Sequence, residues 1–444
     1  MHKTLAPRLI PALMAIAFAG GAHASGFQLL GEQSATNLGN AGAGSAAAAE
    51  NASTIFYNPA GMTELGRGNV SAGLVAVKTS FQFTNGSSNA PGFNGGGDGG
   101  DGGGWGFVPN AYGSWQVAKD WFVGLGISAP FGLKTEYNDN WIGSAHSNSF
   151  DIKTINLNPS VAWRANEWLS LGAGINWQKI DATYERSAGV GLAANLTCPT
   201  VIPPAGPAAG RNVNAACQSD AKLEMDDDAW GWNIGALFKP AAQTKIGLSY
   251  RSAISYTATG NIAVTGPASA APGVSSDISA KIKLPDTAIL SVVQGIGDKW
   301  EVLGDISWTG WSSIPYVDIN RTSGALNGQT AQKLNTQFDD AWRFALGANY
   351  KLNDAWKLRF GIAYDQTPVP NAEQRLVSLP DNDRTWFSAG FTWKPAKNMA
   401  LDVGAAYLYL SNTPINNNEA GKGLVNGNYD SYAFILGSQF SMSF

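Results

Sequence analysis

One repeated sequence motif constrains the fold of this chain more than any other feature. It consists of a short polar turn, then Trp, then a strand with two distinct faces. The segment "YKLNDAWKLRFGIAY", Tyr350 to Tyr364, shows it around Trp356. After the Trp, apolar side chains alternate with Lys, Arg, Gly and Ala, which is the period-two pattern of a β-strand. The same motif recurs around three other tryptophans, Trp121, Trp168 and Trp300. The chain is therefore expected to consist of many two-sided strands joined by tight turns.

Neither face of these strands carries the charge that a soluble β-sandwich would show. Charged residues are 14% of the chain, against roughly 25% in soluble domains. The polar face consists largely of Asn, Ser and Gly, as in residues 155–164. Beyond residue 24, no apolar stretch approaches the roughly 18 residues of a membrane helix. We therefore predict an all-β fold, an antiparallel transmembrane β-barrel with one face toward lipid and the other toward an enclosed lumen.

Counting the alternating runs gives fourteen strands, an even number as expected of a bacterial barrel. Short turns alternate with long loops, so the turns are assigned to the periplasm and the loops to the cell exterior. The barrel is predicted to span residues 68–444. Its strands are predicted at 69–84, 105–118, 121–134, 149–164, 168–186, 225–239, 244–262, 279–296, 299–320, 336–352, 356–367, 383–395, 399–413 and 430–444.

The Trp after each short turn is expected where a strand enters the membrane, because an indole has one apolar and one polar edge. The alternative is a Trp buried in a core.

The chain ends in "AFILGSQFSMSF", an amphipathic strand that finishes on Phe444. That ending resembles the C-terminal signal of barrels recognised by the outer-membrane assembly machinery.

The N-terminus has the pattern of a secretory signal peptide. Lys3 and Arg8 accompany the apolar run "LIPALMAIAFAGGA", and Ala22-His23-Ala24 is a small-x-small cleavage site. We predict that residues 1–24 are removed after Ala24 and that the mature chain reaches the bacterial outer membrane. A membrane anchor is the alternative.

Cys198 and Cys217 lie in one Pro- and Ala-rich loop, and a disulfide is the default for an exported chain. His2 and His23 would leave with the signal, so His146 is the one histidine of the mature chain. No metal site, no cofactor and no Ser-His-Asp type enzyme is therefore expected. The formal net charge of −4 gives no indication of nucleic-acid binding.

Residues 25–67 do not alternate and are rich in Gly, Ala and Asn, which favours a compact piece inside the barrel. Several motifs there and later in the chain are distinctive: "GFQL", "LGNAGAG", "AENASTIFYNPAGM", "DDAWRFALG", "TPVPNAEQRLVSLPDNDRTWFSAG" and "MALDVGAAY". In this order they resemble the outer-membrane long-chain fatty acid transporter family (FadL/TodX type). The resemblance covers the mature chain end to end.

The resemblance implies a fourteen-stranded barrel plugged by an N-terminal hatch, residues 25–67. The hatch would carry the Asn-Pro-Ala motif at Asn58, Pro59 and Ala60. These three residues are either structural elements of the hatch or ligand contacts.

The resemblance also implies passive uptake of hydrophobic compounds. Substrate would be caught outside in an apolar groove made by loops near 187–224 and 263–278. It would pass to a pocket near Phe27 and Leu29, and leave sideways at a kink in the third strand.

A fatty acid has a carboxylate and an apolar tail, so the lumen should offer a cation and an apolar slot. The candidates are Arg186, Arg343 and Arg384, with Asp340 as a pairing partner. The alternative is that these arginines pair with aspartates, Asp381 among them, and only hold the lumen together.

The third strand contains Ala129, Pro130, Phe131 and Gly132. Proline cannot donate to a β-ladder, and an unpaired backbone group facing lipid costs several kcal/mol. We therefore expect the strand to bend inward at Pro130, with the freed groups bonded to the lumen or the hatch. At this place the resemblance puts the lateral exit; the alternative is a bulge at the rim without function.

Three functions stay open on the sequence: a fatty acid channel, a channel of the same family for other hydrophobic compounds such as aromatic hydrocarbons, and a general porin or structural barrel. The hatch argues against an open porin.

The stretch Gly92–Gly104 is expected to be a flexible loop rather than a calcium site. The expected partners are the hydrophobic ligand and membrane lipids, and a monomer is expected.

Overall fold

The computed structural model describes residues 26–89, 97–139, 141–188 and 219–444. The chain forms a closed antiparallel barrel in which twenty β-segments combine into fourteen barrel strands, the number predicted. Closure is made where the first segment, Gly68–Asn85, pairs with the last, Gly423–Ser443. The predicted leader, residues 1–24, and the two cysteines lie outside the described residues.

Eight barrel strands are single segments, and six are made of two consecutive segments. The interruption in the third strand was predicted; those in the seventh to tenth and the thirteenth were not. The segments are β1 Gly68–Asn85, β2 Trp105–Ala118, β3 Trp121–Ser128, β4 Gly132–Glu136, β5 Ser149–Arg164, β6 Leu169–Ala188, β7 Ser219–Ala241, β8 Thr244–Arg251, β9 Ile254–Val264, β10 Ser276–Leu284, β11 Thr287–Ile296, β12 Trp300–Thr309, β13 Val317–Arg321, β14 Thr330–Leu334, β15 Ala341–Lys351, β16 Trp356–Asp365, β17 Arg384–Ala396, β18 Met399–Leu410, β19 Thr413–Glu419 and β20 Gly423–Ser443.

Side chains alternate across the barrel wall as the sequence pattern predicts. In β16, Phe360, Ile362 and Tyr364 are exposed on the outer face, whereas Arg359 and Ala363 are buried on the inner face. The outer face is therefore apolar and the inner face mixed, which is the arrangement of a barrel in a membrane.

All four Trp residues that follow the quoted short turns are exposed on the outer face. Trp121 stacks on Trp163 of the next barrel strand with ring centroids 5.9 Å apart. Trp300 lies 4.7 Å from Tyr350 by the same measure. Their outward orientation is therefore confirmed, and the alternative of core tryptophans is wrong.

The hatch, described from residue 26 to residue 67, contains short helices and turns that lie inside the barrel. No helix among the described residues is long and apolar enough to cross a membrane. The helices are α1 Ala35–Leu38 and α2 Thr54–Tyr57, and the 3-10 turns are Gly31–Gln33 and Pro59–Glu64, with two more in the barrel loops at Pro267–Ala270 and Trp311–Ser313.

Glycines on the inner wall allow the hatch backbone to approach the strands closely. A Cβ atom at Gly172 would lie 2.3 Å from the amide nitrogen of Ala60, and one at Gly361 would lie 2.1 Å from the carbonyl carbon of Asn40. Real Cβ atoms do not make such contacts, so the absence of a side chain is required at both positions.

The extracellular ends of several strands differ from the predicted boundaries. β19 and β20 form a long hairpin from Thr413 onward, where a loop up to residue 430 was predicted. The stretch "INNNEAGKGLVNGN" reads as a loop by composition, but Gly421 and Gly423 have positive φ of 79° and 82° and allow a tight turn. Similarly, β7 begins at Ser219 rather than at residue 225.

Residues 97–104 of the predicted flexible loop make specific contacts with the barrel. The Asp101 carboxylate accepts hydrogen bonds from the amides of Phe81 at 2.8 Å and Gly103 at 2.9 Å. The expectation of a loose loop is therefore wrong for this part of it, because composition does not reveal which backbone groups an Asp side chain can reach.

Candidate functional site

The first described residues of the hatch, 26–30, form an arm that lies against the third barrel strand. The amide of Leu29 donates to the carbonyl of Pro130 at 2.8 Å, and the amide of Gly132 donates to the carbonyl of Phe27 at 2.9 Å. These two bonds make a short antiparallel pair between the arm and the strand interruption.

The side chains around Pro130 satisfy the remaining backbone groups that the interruption frees. The Gln33 side-chain amide donates to the carbonyl of Ala129 at 2.8 Å and accepts from the amide of Ala129 at 3.2 Å. The amide of Phe131 donates to Thr154 Oγ1 at 2.9 Å. The freed groups are thus bonded to the hatch and the neighbouring strand, as an apolar surrounding requires.

The wall beside the interruption has a stretch without a backbone ladder. The pairing of β2 with β3 ends at Ala111 and Ile127. Beyond that point, in the described part of the chain, residues 105–110 pair with β1 alone and β4 pairs with β5 alone. This stretch without a ladder ends where the amide of Glu136 donates to the carbonyl of Gly102 at 3.0 Å.

Apolar side chains from the arm and the interruption pack together inside the barrel. The ring centroid of Phe27 lies 5.9 Å from that of Phe131 and 4.9 Å from that of Trp311. Leu29 packs in a neighbouring buried cluster that includes Trp386. The structure therefore brings the predicted pocket residue Phe27 to the predicted kink, and adds Trp311, which lies on a 3-10 turn and had no signal in the sequence.

The Asn-Pro-Ala motif binds the hatch to itself and to the wall. Asn58 Nδ2 donates to the carbonyl of Ala46 at 2.7 Å and to that of Ala236 in β7 at 2.9 Å. Its Oδ1 accepts from the amide of Ala60 at 3.1 Å, which caps the 3-10 turn that Pro59 begins. This geometry favours the structural reading of the motif over a ligand contact.

Two of the three predicted arginines are inside the barrel and paired with aspartates. Arg384 forms an ion pair with Asp381. Arg343 Nη2 donates to the carbonyl of Ala41 at 2.6 Å, and its Nε lies 4.0 Å from Asp365 Oδ2. Both arginines thus have a countercharge in the protein.

The other two predicted residues of the head-group site are elsewhere. Arg186, near the end of β6, donates to the carbonyl of Ser187 at 3.4 Å, and its Nε is buried and has no hydrogen-bond partner among the described residues. Asp340 is exposed, with its carboxylate accepting from Trp308 Nε1 at 3.2 Å and from the amide of Ser312 at 3.0 Å. The expectation that Asp340 pairs with a lumenal arginine is therefore wrong, because it shares the parity of the outward-facing residues of β15.

Arg251 is an inward-facing cation that the sequence reasoning missed. It lines a cavity together with Pro130 and Phe131 of the strand interruption. Its guanidinium lies 4.5 Å from the ring centroid of Phe56 in the hatch. The alternation in "TKIGLSYR" was a signal for its position, because Gly247 and Ser249 share its parity and are buried.

On the extracellular side, a loop that carries His146 is held to the β19–β20 hairpin. His146 Nδ1 lies 3.7 Å from Glu419 Oε1, and Lys422 Nζ lies 2.6 Å from Glu419 Oε2. Burial alone would raise the pKa of Glu419, but the nearby His146 ring and the charge of Lys422 together lower it to about 2. His146 thus has a role in packing the loops.

Comparison with known proteins identifies relatives over the whole chain. Residues 15–444 match the family of outer membrane transport proteins described as OMPP1/FadL/TodX. The long-chain fatty acid transport protein of Escherichia coli O6:H1 is 30% identical over 456 residues, which cover all of both chains. Outer membrane protein P1 of Haemophilus influenzae is 33% identical over 408 residues, covering 88% of this chain and 87% of the relative.

Solved structures share the fold. A Pseudomonas aeruginosa FadL homologue superposes with a TM-score of 0.83 at 23% identity, over 95% of this chain and 100% of that one. The Ralstonia pickettii toluene transporter TbuX gives a TM-score of 0.66 at 18% identity, over 94% and 99%. The chain therefore belongs to the OMPP1/FadL/TodX family of outer membrane transport proteins.

Proposed function

We propose that the protein is a channel for the passive uptake of long-chain fatty acids across the outer membrane. The single observation that carries the proposal is the arm of residues 26–30, which lies against an interruption of the barrel wall next to a cavity. The relatives named for long-chain fatty acid transport, about 30% identical over their full length, support the substrate class.

In the proposed route, loops outside capture the substrate and pass it to the space around Phe27 and Leu29. The substrate then leaves through the stretch of wall without a ladder beside Pro130. The arm covers this stretch from within, so release requires the arm to move. Only a few hydrogen bonds join the arm to the strand interruption. Movement of the arm therefore leaves the hydrogen bonds between the barrel strands largely intact.

The second candidate is uptake of uncharged compounds such as aromatic hydrocarbons. The toluene transporter TbuX shares the fold, which supports this candidate. A cation that faces the cavity favours an acid instead, since an uncharged ligand leaves that cation unneutralised. A general porin is disfavoured because the hatch fills the lumen.

Uptake by whole cells tests the proposal. A strain deleted for the gene, with and without a plasmid copy, is supplied with radiolabelled oleate or toluene. We expect the plasmid to restore oleate uptake and to leave toluene uptake unchanged. Restoration of toluene uptake alone would favour the second candidate, and restoration of neither would overturn both.

We further propose that the chain acts as a monomer without enzymatic activity. Its leader would be removed after Ala24, and the barrel assembly machinery would insert the mature chain. The supports are the leader pattern, the terminal Phe444 and the membership of a transport family.

A further inference from the structure

We infer that Arg251 binds the anionic head group of the substrate, which would be a single-chain amphiphile with its tail in the cavity beside Pro130. The inference rests on the proposed function and deepens it, because it assigns the head-group site to a residue outside the set of arginines expected from the sequence. It also states which ligands the channel should prefer.

The hydrogen-bond partners of Arg251 are all neutral. Its Nη1 donates to Asn176 Oδ1, and its Nη2 donates to the carbonyl of Phe56 at 2.8 Å. The Phe56 ring provides a cation–π contact at 4.5 Å. A guanidinium has five N–H donors, so these two bonds leave donor capacity free. These contacts hold the side chain in place without neutralising its charge.

The lack of a countercharge distinguishes Arg251 from Arg384 and Arg359. Arg384 pairs with Asp381, and Arg359 pairs with Glu50 at 2.7 Å. Across the described residues, no carboxylate oxygen lies within 4.0 Å of a side-chain nitrogen of Arg251. A charge removed from bulk water without a partner is costly. An anionic ligand in the cavity would supply the missing charge.

The lining of the cavity beside Arg251 combines polar and apolar groups. Arg251, Gln28 and Gln178 are polar members of the lining, whereas Leu30, Phe131 and Leu284 contribute apolar surface. A carboxylate at Arg251 therefore leaves its acyl chain among apolar side chains that extend to the strand interruption.

Local breaks in two adjacent strands place Arg251 at the cavity. β8 ends at Arg251, and β9 begins after two intervening residues, at Ile254. In the adjacent barrel strand, β10 ends at Leu284 and β11 begins at Thr287. Pro285 lies in the second break and also lines the cavity. The breaks between β8 and β9 and between β10 and β11 therefore help to form the site.

The consequence is a preference for acids over uncharged analogues of the same chain length. Charge-assisted hydrogen bonds contribute more than neutral ones. An alcohol or a hydrocarbon in the same cavity leaves Arg251 unneutralised, so it should bind more weakly although its apolar contacts are the same.

The test measures binding of radiolabelled laurate and dodecanol to the full-length mature protein in nanodiscs at pH 8, with binding to empty nanodiscs subtracted. The native protein should bind laurate more tightly than dodecanol. Arg251→Gln should weaken laurate binding by about 10-fold or more and leave dodecanol binding unchanged. Arg251→Lys should keep the preference for laurate. Lys351→Gln, which removes an exposed charge on a short turn, controls for net charge.

Equal affinity of the native protein for laurate and dodecanol would overturn the inference, and this comparison needs no variant. It is also overturned if Arg251→Gln weakens both ligands equally, because that result indicates a structural role only. If cells still take up oleate in either case, the proposed function stands without this inference. If the native protein restores no oleate uptake, the proposed function itself fails.

Discussion

Gln28 of the arm and Phe131 of the strand interruption form a non-hydrogen-bonded antiparallel pair, flanked by the two backbone bonds between these segments. In such a pair the Cα atoms are about 4.5 Å apart, which suits a disulfide. The variant Gln28→Cys/Phe131→Cys should therefore crosslink the arm to the wall. If the arm must move for release, oxidation should lower oleate uptake and reduction should restore it. The reduced protein is the matched control, and equal uptake by both forms would contradict a moving arm.

Gly172 on the inner wall provides a test of how the hatch is seated. A methyl group there would meet the amide nitrogen of Ala60 at 2.3 Å, and overpacking of this kind costs about 1–3 kcal/mol. We expect Gly172→Ala to loosen the hatch and to increase the conductance of small ions in planar bilayers. Gly304→Ala is the control, since a Cβ there has no atom within 4 Å. Identical conductance of both variants and the native protein would show that the contact does not seat the hatch.

The architecture of this barrel could be predicted from sequence because the constraint is local. Each strand separates lipid from lumen by alternation, so fourteen runs could be counted, and Pro130 marked a break because it has no N–H. The contacts between inner residues and the hatch could not be predicted. They depend on how the whole barrel closes, which brings Gln33 to Ala129 and places Asn40 against Gly361.

The errors at the site have the same origin. Asp340 and Arg343 are near each other in sequence, but their side chains lie on opposite sides of the wall. Arg251 could have been placed on the inner face from its parity. Its lack of a carboxylate partner, however, is a property of neighbouring strands and of the hatch, and no local pattern encodes it.

A prediction on Cys198 and Cys217 stays open, since both lie outside the described residues. In an exported chain the two should be bonded to each other. The closed loop would contribute about 3 kcal/mol in the chain-entropy model. Maleimide should label intact cells only after reduction. Labelling without reductant would show free thiols.

Arg359 is expected to be the main electrostatic anchor of the hatch. It is 1% exposed and forms a bidentate pair with Glu50, at 2.9 and 2.7 Å, as well as a 3.5 Å contact with Asp402. Without Arg359, the buried carboxylate of Asp402 would lose its countercharge, and an uncompensated buried charge is costly. Arg359→Gln should therefore lower the temperature at which the barrel unfolds in detergent, as followed by heat-dependent gel mobility.

The neighbouring cation offers a matched comparison. Lys357 also contacts Glu50, at 3.0 Å, but its side chain is 20% exposed. Lys357→Gln should have a smaller effect than Arg359→Gln on the unfolding temperature, because water compensates part of the loss. Equal effects of the two variants would mean that burial of Arg359 is not what makes the contact strong.

The contact between His146 and Glu419 should weaken in acid. Glu419 lies at the end of β19, well beyond Tyr409, the last large exposed aromatic of that barrel strand. Its pKa is about 2, below the ordinary value of 4.5. A depressed pKa stabilises the folded loops fully above about pH 4.5, and this contribution is lost as the pH falls toward 2.

Hydrogen–deuterium exchange of residues 141–148, corrected for the intrinsic rate at each pH, should therefore increase between pH 4.5 and pH 2. Glu419→Gln should remove this pH dependence while the native protein retains it, and an unchanged profile in the variant would assign the effect to another group.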